Sequence, residues 1–243
     1  MIDYNFPPIG FMSTCFKDKF GIPRQPGLVA GATGVIKLID HEHYRIAINK
    51  LEGFSHLWVV FVFHRHDANN WKPSIRPPRL GGAKKVGVLA SRSPHRPNPI
   101  GLSVVKIDRI DISAKNGAEI YVSGVDILDG SPVLDIKPYL PYCDSIPDAT
   151  TGWANLPIVH TPVDFSELSL QSIFHRSGER YPNLKELIVQ MLTLDPRPAA
   201  QKHRLPPTNP DAEGTSHGFR LLEFDVKWQI RGGRFLVLDV VDY

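Results

Sequence analysis

Two arginines in a proline-rich segment are the sharpest chemical feature of the sequence. Arg92 and Arg96 stand four residues apart, with Pro94 between them and with Pro97 and Pro99 following. Because proline fixes the backbone angle φ, such a loop is stiff although it is irregular. A guanidinium group that is held in one position can bind a carboxylate or a phosphate through two hydrogen bonds. The pattern therefore predicts a binding site for an anionic group.

A second segment, residues 126–141, combines carboxylates with a glycine turn. Gly130 follows Asp129, and glycine allows a left-handed turn and a close approach of the main chain to a ligand. Asp129 has two interpretations, a ligand-binding carboxylate or an ordinary turn residue, and the sequence leaves both open. Asp135 and Tyr139 add a second carboxylate and a phenol to the same segment.

Two pairs of histidines have a spacing that metal ligands can have. His41 and His43 form one His-x-His pair, and His64 and His66 form the other. On a strand this spacing places both imidazoles on one face, but a zinc site needs further ligands, such as a carboxylate or a third histidine. We predict no metal, and a metal-dependent hydrolase built on His64 and His66 stays as an alternative that metal analysis would test.

Several common nucleotide-binding and hydrolase motifs are missing from the sequence. There is no G-x-G-x-x-G, no G-x-x-x-x-G-K-[ST], no G-x-S-x-G and no H-E-x-x-H. These absences argue against a Rossmann-fold methyltransferase, a P-loop nucleotidase, an α/β-hydrolase and a zinc protease of the usual kinds.

Positive charge is concentrated in one part of the chain. The 243 residues carry a formal net charge of +3, yet residues 68–107 contain no aspartate or glutamate. A block of one sign within a folded domain attracts polyanions, although a solvated basic face has the same composition. We therefore expect RNA-binding residues in this block, namely Lys72, Arg76, Arg79, Lys84, Lys85 and Arg96.

The overall composition is that of an ordinary globular protein, with 42% hydrophobic and 22% charged residues. No apolar run reaches the roughly 18 residues that cross a bilayer, and the first residues lack the pattern of a secretory signal. Two cysteines that are far apart in sequence give neither a disulfide framework nor a zinc site. A cytoplasmic location is the simplest expectation.

The first 140 residues or so are predicted to be rich in β-strands. The candidates are residues 34–39, 56–63, 86–90, 102–110 and 119–127, and an Asn-Gly pair at 116–117 indicates a hairpin between the last two. Residues 56–63 are nearly all β-branched or aromatic, which predicts a strand that is buried on both faces. Several strands with few helices indicate a barrel or a sandwich.

The composition changes near residues 147–152, and the rest of the chain is predicted to form a small α+β domain. Helices are expected over 164–176 and 182–195, the second with Asn183 and Glu186 as a capping box and with Pro196 after its end. Residues 203–218 read as a loop, and alternating hydrophobic residues at 222–230, followed by a Gly-Gly turn and residues 235–240, predict a hairpin. The predicted domains are therefore residues 1–150 and 155–243.

Five segments, in this order, resemble the TsaA-like family, which includes TrmO (also called YaeB). They are residues 20–27 (FGIPRQPG), 51–58 (LEGFSHLW), 76–82 (RPPRLGG), 92–101 (RSPHRPNPIG) and 129–139 (DGSPVLDIKPY). The resemblance covers at least residues 1–150 and extends through 195–198 and the final hairpin.

The resemblance implies an S-adenosylmethionine-dependent methyltransferase with a single-sheeted antiparallel β-barrel. It implies methylation of N6 of threonylcarbamoyladenosine at position 37, beside the anticodon of tRNA, by a homodimer that binds the cofactor near its subunit interface. Carried over by position, the cofactor contacts are Pro23, Arg24, Gln25, His64, Arg65, Arg92, Leu102, Ile127, Leu128, Asp129 and Gly130.

These implications define a mechanism as a hypothesis. Arg92 would pair with the carboxylate of the cofactor, while the basic block, extended by Arg197, would hold the anticodon stem-loop through its phosphates. The carbamoylated acceptor nitrogen is a poor nucleophile until its proton leaves, so a base would help. The candidates are Asp129, Asp135, Tyr139 and His64, and the sequence does not choose among them.

A non-catalytic RNA-binding β-barrel is the main alternative function. It would account for the basic block but not for the joint occurrence of the arginine loop and the Asp-Gly turn. Retention of S-adenosylmethionine by the purified protein would distinguish an enzyme from a binding module.

Overall fold

A computed structural model describes residues 4–82, 84–155 and 157–243. Within them the chain forms two compact units, and the first contains the residues up to 15 together with 24–75 and 87–150. The second contains residues 16–23, 76–86 and 151 onward. Two short segments therefore leave the continuous first domain that the sequence predicts over residues 1–150 and belong to the second unit.

The first unit is built on a closed antiparallel β-barrel of six strands, which confirms the predicted mainly β fold. Around the barrel the order is β1-β2-β7-β6-β3-β8. The strands are β1 (Gly10–Thr14), β2 (Thr33–Leu38), β3 (His56–Val62), β6 (Ile100–Asp111), β7 (Glu119–Ser123) and β8 (Pro132–Pro138), and two short strands outside the barrel are β4 (Ser74–Ile75) and β5 (Val86–Gly87). Helix α1 (Glu42–Ala47) and the short α2 (Pro141–Asp144) complete the regular structure of this part.

Strand β3 differs from its prediction in how it is buried. Leu57, Val59 and Phe61 are at most 3% exposed and point into the barrel, but the alternate residues of the strand are only half-buried. The strand is therefore buried on one face, because a closed barrel has a single interior and leaves its outer face to solvent or to a partner. Gly101 of β6 is required at this point, since a Cβ there would lie 2.2 Å from Cζ of Phe61.

Other strand predictions need correction in their length. The strand expected over 86–90 is two residues long and continues as a 3-10 turn, and the one expected over 119–127 ends at Ser123. Strands β1 and β8 are not among the predicted strands, because β1 is short and β8 begins and ends at a proline. Proline has no main-chain N–H to donate to a neighbouring strand. A residue at the end of a strand does not need that hydrogen bond, so the strand still forms.

The second unit contains a four-stranded sheet of order β10-β11-β12-β9, in which β9 runs parallel to β12. Its strands are β9 (Val163–Phe165), β10 (Ser216–Leu221), β11 (Phe224–Arg231) and β12 (Arg234–Asp242). Its helices are α3 (Glu167–Ser177), α4 (Leu184–Thr193) and α5 (Ala199–Arg204). The buried face of α4 and the inner side of the sheet form the core, which includes Leu184, Ile188, Leu192, Trp228 and Phe235.

Several details of this unit depart from the predicted α+β pattern. Helix α3 starts at Glu167, after the unpredicted strand β9, and Ser166 caps it by accepting a hydrogen bond from the main-chain N–H of Ser169. Asn183 is the N-cap of α4 but makes no capping hydrogen bond with its side chain, so the predicted capping box is wrong. The predicted loop over 203–218 overlaps the end of α5 and the start of β10, and Leu222 lies in the left-handed region at φ 58°, between β10 and β11.

The segments 16–23 and 76–86 are fixed to the second unit by specific contacts. Asp18 forms an ion pair with Arg220 at 3.2 Å. Gly81 lies against His203, where a Cβ on the glycine would be 2.9 Å from the imidazole Nδ1. None of the helices in the described ranges is long and apolar enough to cross a lipid bilayer.

Candidate functional site

The Asp-Gly bend at residues 127–131 is fixed to strand β1 by hydrogen bonds. The N–H of Gly130 donates to the carbonyl of Met12 at 2.8 Å, and the Thr14 hydroxyl donates to the carbonyl of Ile127 at 2.9 Å. The main-chain N–H of Thr14 donates to Oδ1 of Asp129 at 2.8 Å. Gly130 has a φ of 74°, and nothing lies within 4 Å of the place where a Cβ would stand. The bend is thus rigid, open on its outer side, and anchored in part by the Asp129 carboxylate.

The arginine loop is stiffened by serine hydroxyls as well as by proline. The Ser91 hydroxyl donates to the carbonyl of Val88 at 2.7 Å and accepts from the N–H of Ser93 at 3.3 Å. Arg96 is half-buried, and its Nη2 donates to the carbonyl of Ser91 at 3.4 Å. One of the two arginines therefore helps to build the loop.

Arg92 is the exposed arginine of this loop and contacts a second predicted site residue. Its Nη1 donates to Oε1 of Gln25 at 2.5 Å, and Nε2 of Gln25 donates to the carbonyl of Arg24 at 2.5 Å. The segment that carries Gln25 is fixed further on, where the N–H of Gly27 donates to the carbonyl of Gly124 at 2.9 Å. The structure thus brings Arg24, Gln25 and Arg92 together, whereas Pro23 belongs to the second unit.

Asp126 is a site residue that the sequence analysis did not single out. It is half-buried, and its Oδ1 accepts a hydrogen bond from the Ser103 hydroxyl at 2.6 Å. Burial raises the pKa of the Asp126 carboxyl to about 6, while the Ser103 hydrogen bond and the positive charge of Arg92 act in the opposite direction. The only sequence signal was its position three residues before Asp129, and spacing does not show which carboxylate is buried.

His64 joins the Asp-Gly bend to the end of strand β3. Its Nδ1 lies 3.2 Å from the hydroxyl of Ser131, which directly follows the bend. The neighbouring Phe63 donates its main-chain N–H to the carbonyl of Pro99, at the end of the arginine loop, at 2.8 Å. Because the strand end holds both segments, the arginine loop and the bend meet at one end of the barrel. Arg65, next in the chain, is exposed there.

His66 does not share the surroundings of His64. Its ring contacts that of His95 edge-on, with 4.2 Å between the ring centroids, because the chain has left the strand and turned. His41 and His43 also form a ring contact, at 4.6 Å, and both are exposed. Within residues 4–82, 84–155 and 157–243 there is no group of three histidine, cysteine or acidic side chains that could hold a metal ion.

Leu102 and its neighbour Ile100 form an exposed apolar patch on the outer face of the barrel. Leu102 is 53% exposed and Ile100 is 40% exposed. In the register of β3 and β6, Leu102 lies opposite Val60 and Ile100 opposite Val62, so the patch continues onto β3. Apolar side chains of this size at the surface of a sheet are typical of a contact with a partner or a ligand.

Tyr139 lies toward the other end of the barrel, whereas Asp135 lies between the two ends, opposite Val60 of β3. The N–H of Tyr139 donates to the carbonyl of His56, six positions and roughly 20 Å along β3 from Val62. Asp135 forms an ion pair with Lys137 at 2.8 Å and lines a cavity of about 390 Å³ beside α1. The register of β8 therefore separates Tyr139 from the bend, although both belong to one short stretch of sequence, and the Asp135 carboxylate is engaged by Lys137.

The predicted RNA-binding residues differ in how exposed they are. Lys72, Arg76, Arg79, Lys84 and Lys85 are exposed, the first in the barrel unit and the other four in the second unit. Arg197 is only 3% exposed. Its Nη2 and Nε donate to the two carboxylate oxygens of Asp195 at 2.7 and 2.8 Å, and its Nη1 donates to the carbonyl of Leu205 at 2.9 Å. A guanidinium that is buried and bonded in this way is structural, so Arg197 is removed from the RNA-binding set.

The fold and the site define a single-sheeted β-barrel with a guanidinium, a half-buried carboxylate and a glycine bend at one end. Residues 11–145 match the family model described as the tRNA-methyltransferase O N-terminal domain, and residues 159–243 match the TrmO C-terminal domain. The chain therefore belongs to the TrmO family.

Similar proteins cover the whole chain. The tRNA (adenine(37)-N6)-methyltransferase of Escherichia coli K12 is 39% identical over 98% of this chain and 97% of its own length. A Pseudomonas aeruginosa protein that carries the provisional name S-adenosylmethionine-dependent methyltransferase RcsF is 41% identical over the same shares. A crystal structure of TrmO from Pseudomonas aeruginosa superposes with a TM-score of 0.78 and 36% identity, and the alignment covers 100% of this chain and 99% of that one.

Proposed function

We propose that this protein transfers a methyl group from S-adenosylmethionine to N6 of adenosine 37 in tRNA. The observation that carries the proposal is its full-length similarity to the Escherichia coli tRNA (adenine(37)-N6)-methyltransferase, which spans both units. The convergence of the arginine loop and the Asp-Gly bend at one end of the barrel supports the same function, because both segments belong to the predicted cofactor site.

The groups at this end of the barrel fit the cofactor. Arg92 uses Nη1 for Gln25 and keeps its other N–H groups for a carboxylate such as that of the methionine moiety. The open side of Gly130 lets a ribose or an adenine approach the main chain of residues 127–130, which include Leu128. Leu102 offers an apolar surface. When bound, the cofactor supplies the electrophilic methyl group, and the protein contributes position and exclusion of water.

The acceptor is proposed to be threonylcarbamoyladenosine, whose N6 needs to lose a proton as it is methylated. Of the four base candidates, Tyr139 lies toward the other end of the barrel, Asp135 is paired with Lys137, and Asp129 accepts a hydrogen bond from the main chain of Thr14. His64 lies at the same end as Arg92, and its Nδ1 contacts the hydroxyl of Ser131, which can fix the ring. His64 is therefore the best-placed group to accept the proton.

The anticodon stem-loop is proposed to bind through basic residues, all of which are exposed except the half-buried Arg96. Lys72 and Arg96 belong to the barrel unit, while Arg76, Arg79, Lys84 and Lys85 belong to the second unit. Phosphate contacts of this kind give affinity and orientation without reading sequence, whereas the unstacked bases of the loop are read one by one.

Two copies of the chain are proposed to associate through the outer face of β3 and β6. The exposed side chains of Ile100 and Leu102 support a contact there, since their burial would remove apolar surface from water. Light scattering of the wild type and of Ile100→Glu would test this, and a monomeric wild type would contradict it.

Nucleoside analysis of tRNA is the direct test of the proposed activity. We expect the full chain, S-adenosylmethionine and tRNA that contains threonylcarbamoyladenosine to yield a nucleoside with one added methyl group. The same assay with an unmodified tRNA transcript would show whether the threonylcarbamoyl group is required for methyl transfer. Absence of methyl transfer, combined with tight tRNA binding, would favour the non-catalytic RNA-binding barrel.

A further inference from the structure

Asp126 differs from an ordinary surface aspartate, because its carboxylate is half-buried and is held by a hydrogen bond at the candidate cofactor site. Its Oδ1 is held at 2.6 Å by the hydroxyl of Ser103, which is itself 2% exposed and cannot move away. Among the described residues, this carboxylate accepts hydrogen bonds from the Ser103 hydroxyl and from the main-chain N–H of Asp126 itself, and from no other residue. One oxygen is therefore held by Ser103, and the carboxylate keeps lone pairs for a further donor.

Arg92 and Asp126 are brought near each other through the segment that carries Gln25. Arg92 donates to Gln25, and the N–H of Gly27 donates to the carbonyl of Gly124, two residues before Asp126. The positive charge of Arg92 lowers the pKa of the Asp126 carboxyl, yet within the residues that the structure describes the two side chains form no ion pair. Arg92 donates instead to the amide oxygen of Gln25. A partly buried carboxylate without an ion-pair partner is costly, and it is typical of a site that a ligand of matching charge completes.

We propose that Asp126 and Arg92 together recognise the amino-acid zwitterion of the cofactor, with Asp126 binding the α-ammonium and Arg92 the α-carboxylate. The proposal rests on the proposed function, because it assigns the binding of one part of S-adenosylmethionine. An ammonium has three N–H donors, so it can bond to the second oxygen of a carboxylate whose first oxygen already accepts from Ser103. The arrangement would also fix the orientation of the methionine chain, since exchange of its two charged ends would place like charges together.

The choice of an ammonium over a nucleotide phosphate follows from the charge of Asp126. A phosphate beside Arg92 would face a carboxylate, which repels it, whereas a zwitterion satisfies both groups. Asp126 acts here as a binding residue. A role as the base of methyl transfer would leave cofactor affinity unchanged and alter turnover.

Calorimetry with S-adenosylhomocysteine tests the proposal without methyl transfer. Asp126→Asn keeps the size of the side chain and an acceptor for Ser103 but removes the charge. We expect it to weaken S-adenosylhomocysteine binding by about 10- to 100-fold, the range for loss of a charge-assisted hydrogen bond. Binding of 5′-methylthioadenosine, which has no amino-acid part, should change by less than about threefold if additivity holds.

Two further probes separate the two charges. We expect the analogue of S-adenosylhomocysteine that lacks only the amino group to bind equally to the wild type and to Asp126→Asn. The analogue that lacks only the carboxyl group should still distinguish them. The matched control is Asp108→Asn, since Asp108 also accepts a hydrogen bond from a serine, Ser123, at 3.0 Å, but on the exposed outer side of the barrel.

The other outcomes each overturn the proposal. Equal losses for S-adenosylhomocysteine and 5′-methylthioadenosine would make Asp126 a residue that shapes the pocket. Unchanged affinity for both would remove it from the cofactor site, and a fall in turnover alone would make it a proton acceptor. If the wild type binds neither compound, the proposed function fails as well, and this result is distinct from a defect that is confined to the variant.

Discussion

Each unit contains an aspartate and an arginine that lie near each other, but the two pairs differ in burial and in hydrogen bonding. In the second unit Asp195 and Arg197 are buried and joined by two hydrogen bonds between their side chains, and Arg197 is only 3% exposed. In the barrel unit Asp126 and Arg92 are neighbours that form no ion pair within the described residues, and Arg92 is exposed. The charged groups of the first pair bind each other, whereas those of the second pair keep donors and acceptors for a ligand.

The difference shows how charge can be read as structural or functional. A buried pair whose donors and acceptors are satisfied adds little net stability, but loss of one partner leaves an isolated charge in the core. A pair held apart costs stability in the free protein and gains its interaction energy only when a ligand arrives. Sequence alone does not separate the two, since both sit in segments with the same residue types.

The largest expected effect concerns the pair in the second unit. Arg197→Ala should destabilise the protein by about 3–5 kcal/mol, because it leaves the Asp195 carboxylate buried without its partner. Thermal unfolding followed by circular dichroism measures the loss. Arg234→Ala is the matched control, since Arg234 pairs with Asp164 in the same unit but both side chains are 48% exposed, and a much smaller loss is expected because solvent screens this pair. Equal losses for the two variants would erase the distinction between the pairs.

The pair in the barrel should show the reverse pattern. Arg92→Ala is expected to reduce methyl transfer by at least about 100-fold, which corresponds to loss of a charge-assisted contact with the cofactor, and to leave the melting temperature almost unchanged. Turnover and S-adenosylhomocysteine affinity measure the effect. Unaltered turnover and affinity would exclude Arg92 from the site, and a large fall in melting temperature would make it a structural residue like Arg197.

How much the sequence could predict differs between the fold and the site. The β-branched and aromatic residues of β3 and the Asn-Gly turn before β7 predict strands correctly, because these signals are local. Strands β1 and β8 were missed because pairing across the barrel, and not propensity, makes them strands. The arginine loop and the Asp-Gly bend were predicted as segments, and their meeting at one end of the barrel fits that prediction.

Individual residues of the site depended on contacts that sequence spacing does not contain. Asp126 and Asp129 are three residues apart, but Ser103, from a distant strand, makes the first a half-buried carboxylate, while Thr14 makes the second a turn anchor. The register of β8 places Tyr139 far from the bend, and burial removes Arg197 from the RNA surface. Burial and register are properties of the assembled fold, so motifs alone give the place of the site but not the role of each residue.

The difference in stability between the wild type and Asp126→Asn should depend on pH, because only the wild type has an ionisable carboxyl at this position. Burial raises the pKa of Asp126 from 3.8 to about 6, so the folded state binds the proton more tightly than the unfolded chain. Stability therefore falls as the pH rises from about 4 to 6, and above this window the protein bears the cost of a buried ionised carboxylate. Because asparagine cannot ionise, the variant should melt higher than the wild type at pH 8, with the difference vanishing near pH 4.

Melting curves of both proteins across this pH range provide the measurement. Arg92 is the charged group that acts on Asp126, so the Arg92→Ala background should enlarge the gain at pH 8. Asp108→Asn, on the exposed side of the barrel, should show no such gain. A variant that melts lower than the wild type at pH 8 would indicate that Asp126 is stabilising, as Asp195 is expected to be.

The smallest expected effect compares the buried arginine with exposed lysines of the same unit. Lys84→Ala combined with Lys85→Ala should weaken tRNA binding and reduce the salt dependence, because each phosphate contact contributes about 0.7–0.9 to the slope of log K against log salt. Arg197→Lys keeps a buried cation beside Asp195 and should leave the slope unchanged. Lys115→Ala, in the exposed hairpin before β7, controls for net charge. The opposite result would be a wild-type slope for the double variant and a reduced slope for Arg197→Lys. It would link the buried arginine, and not the exposed lysines, to RNA binding. Burial would then be a poor guide to which cations are structural.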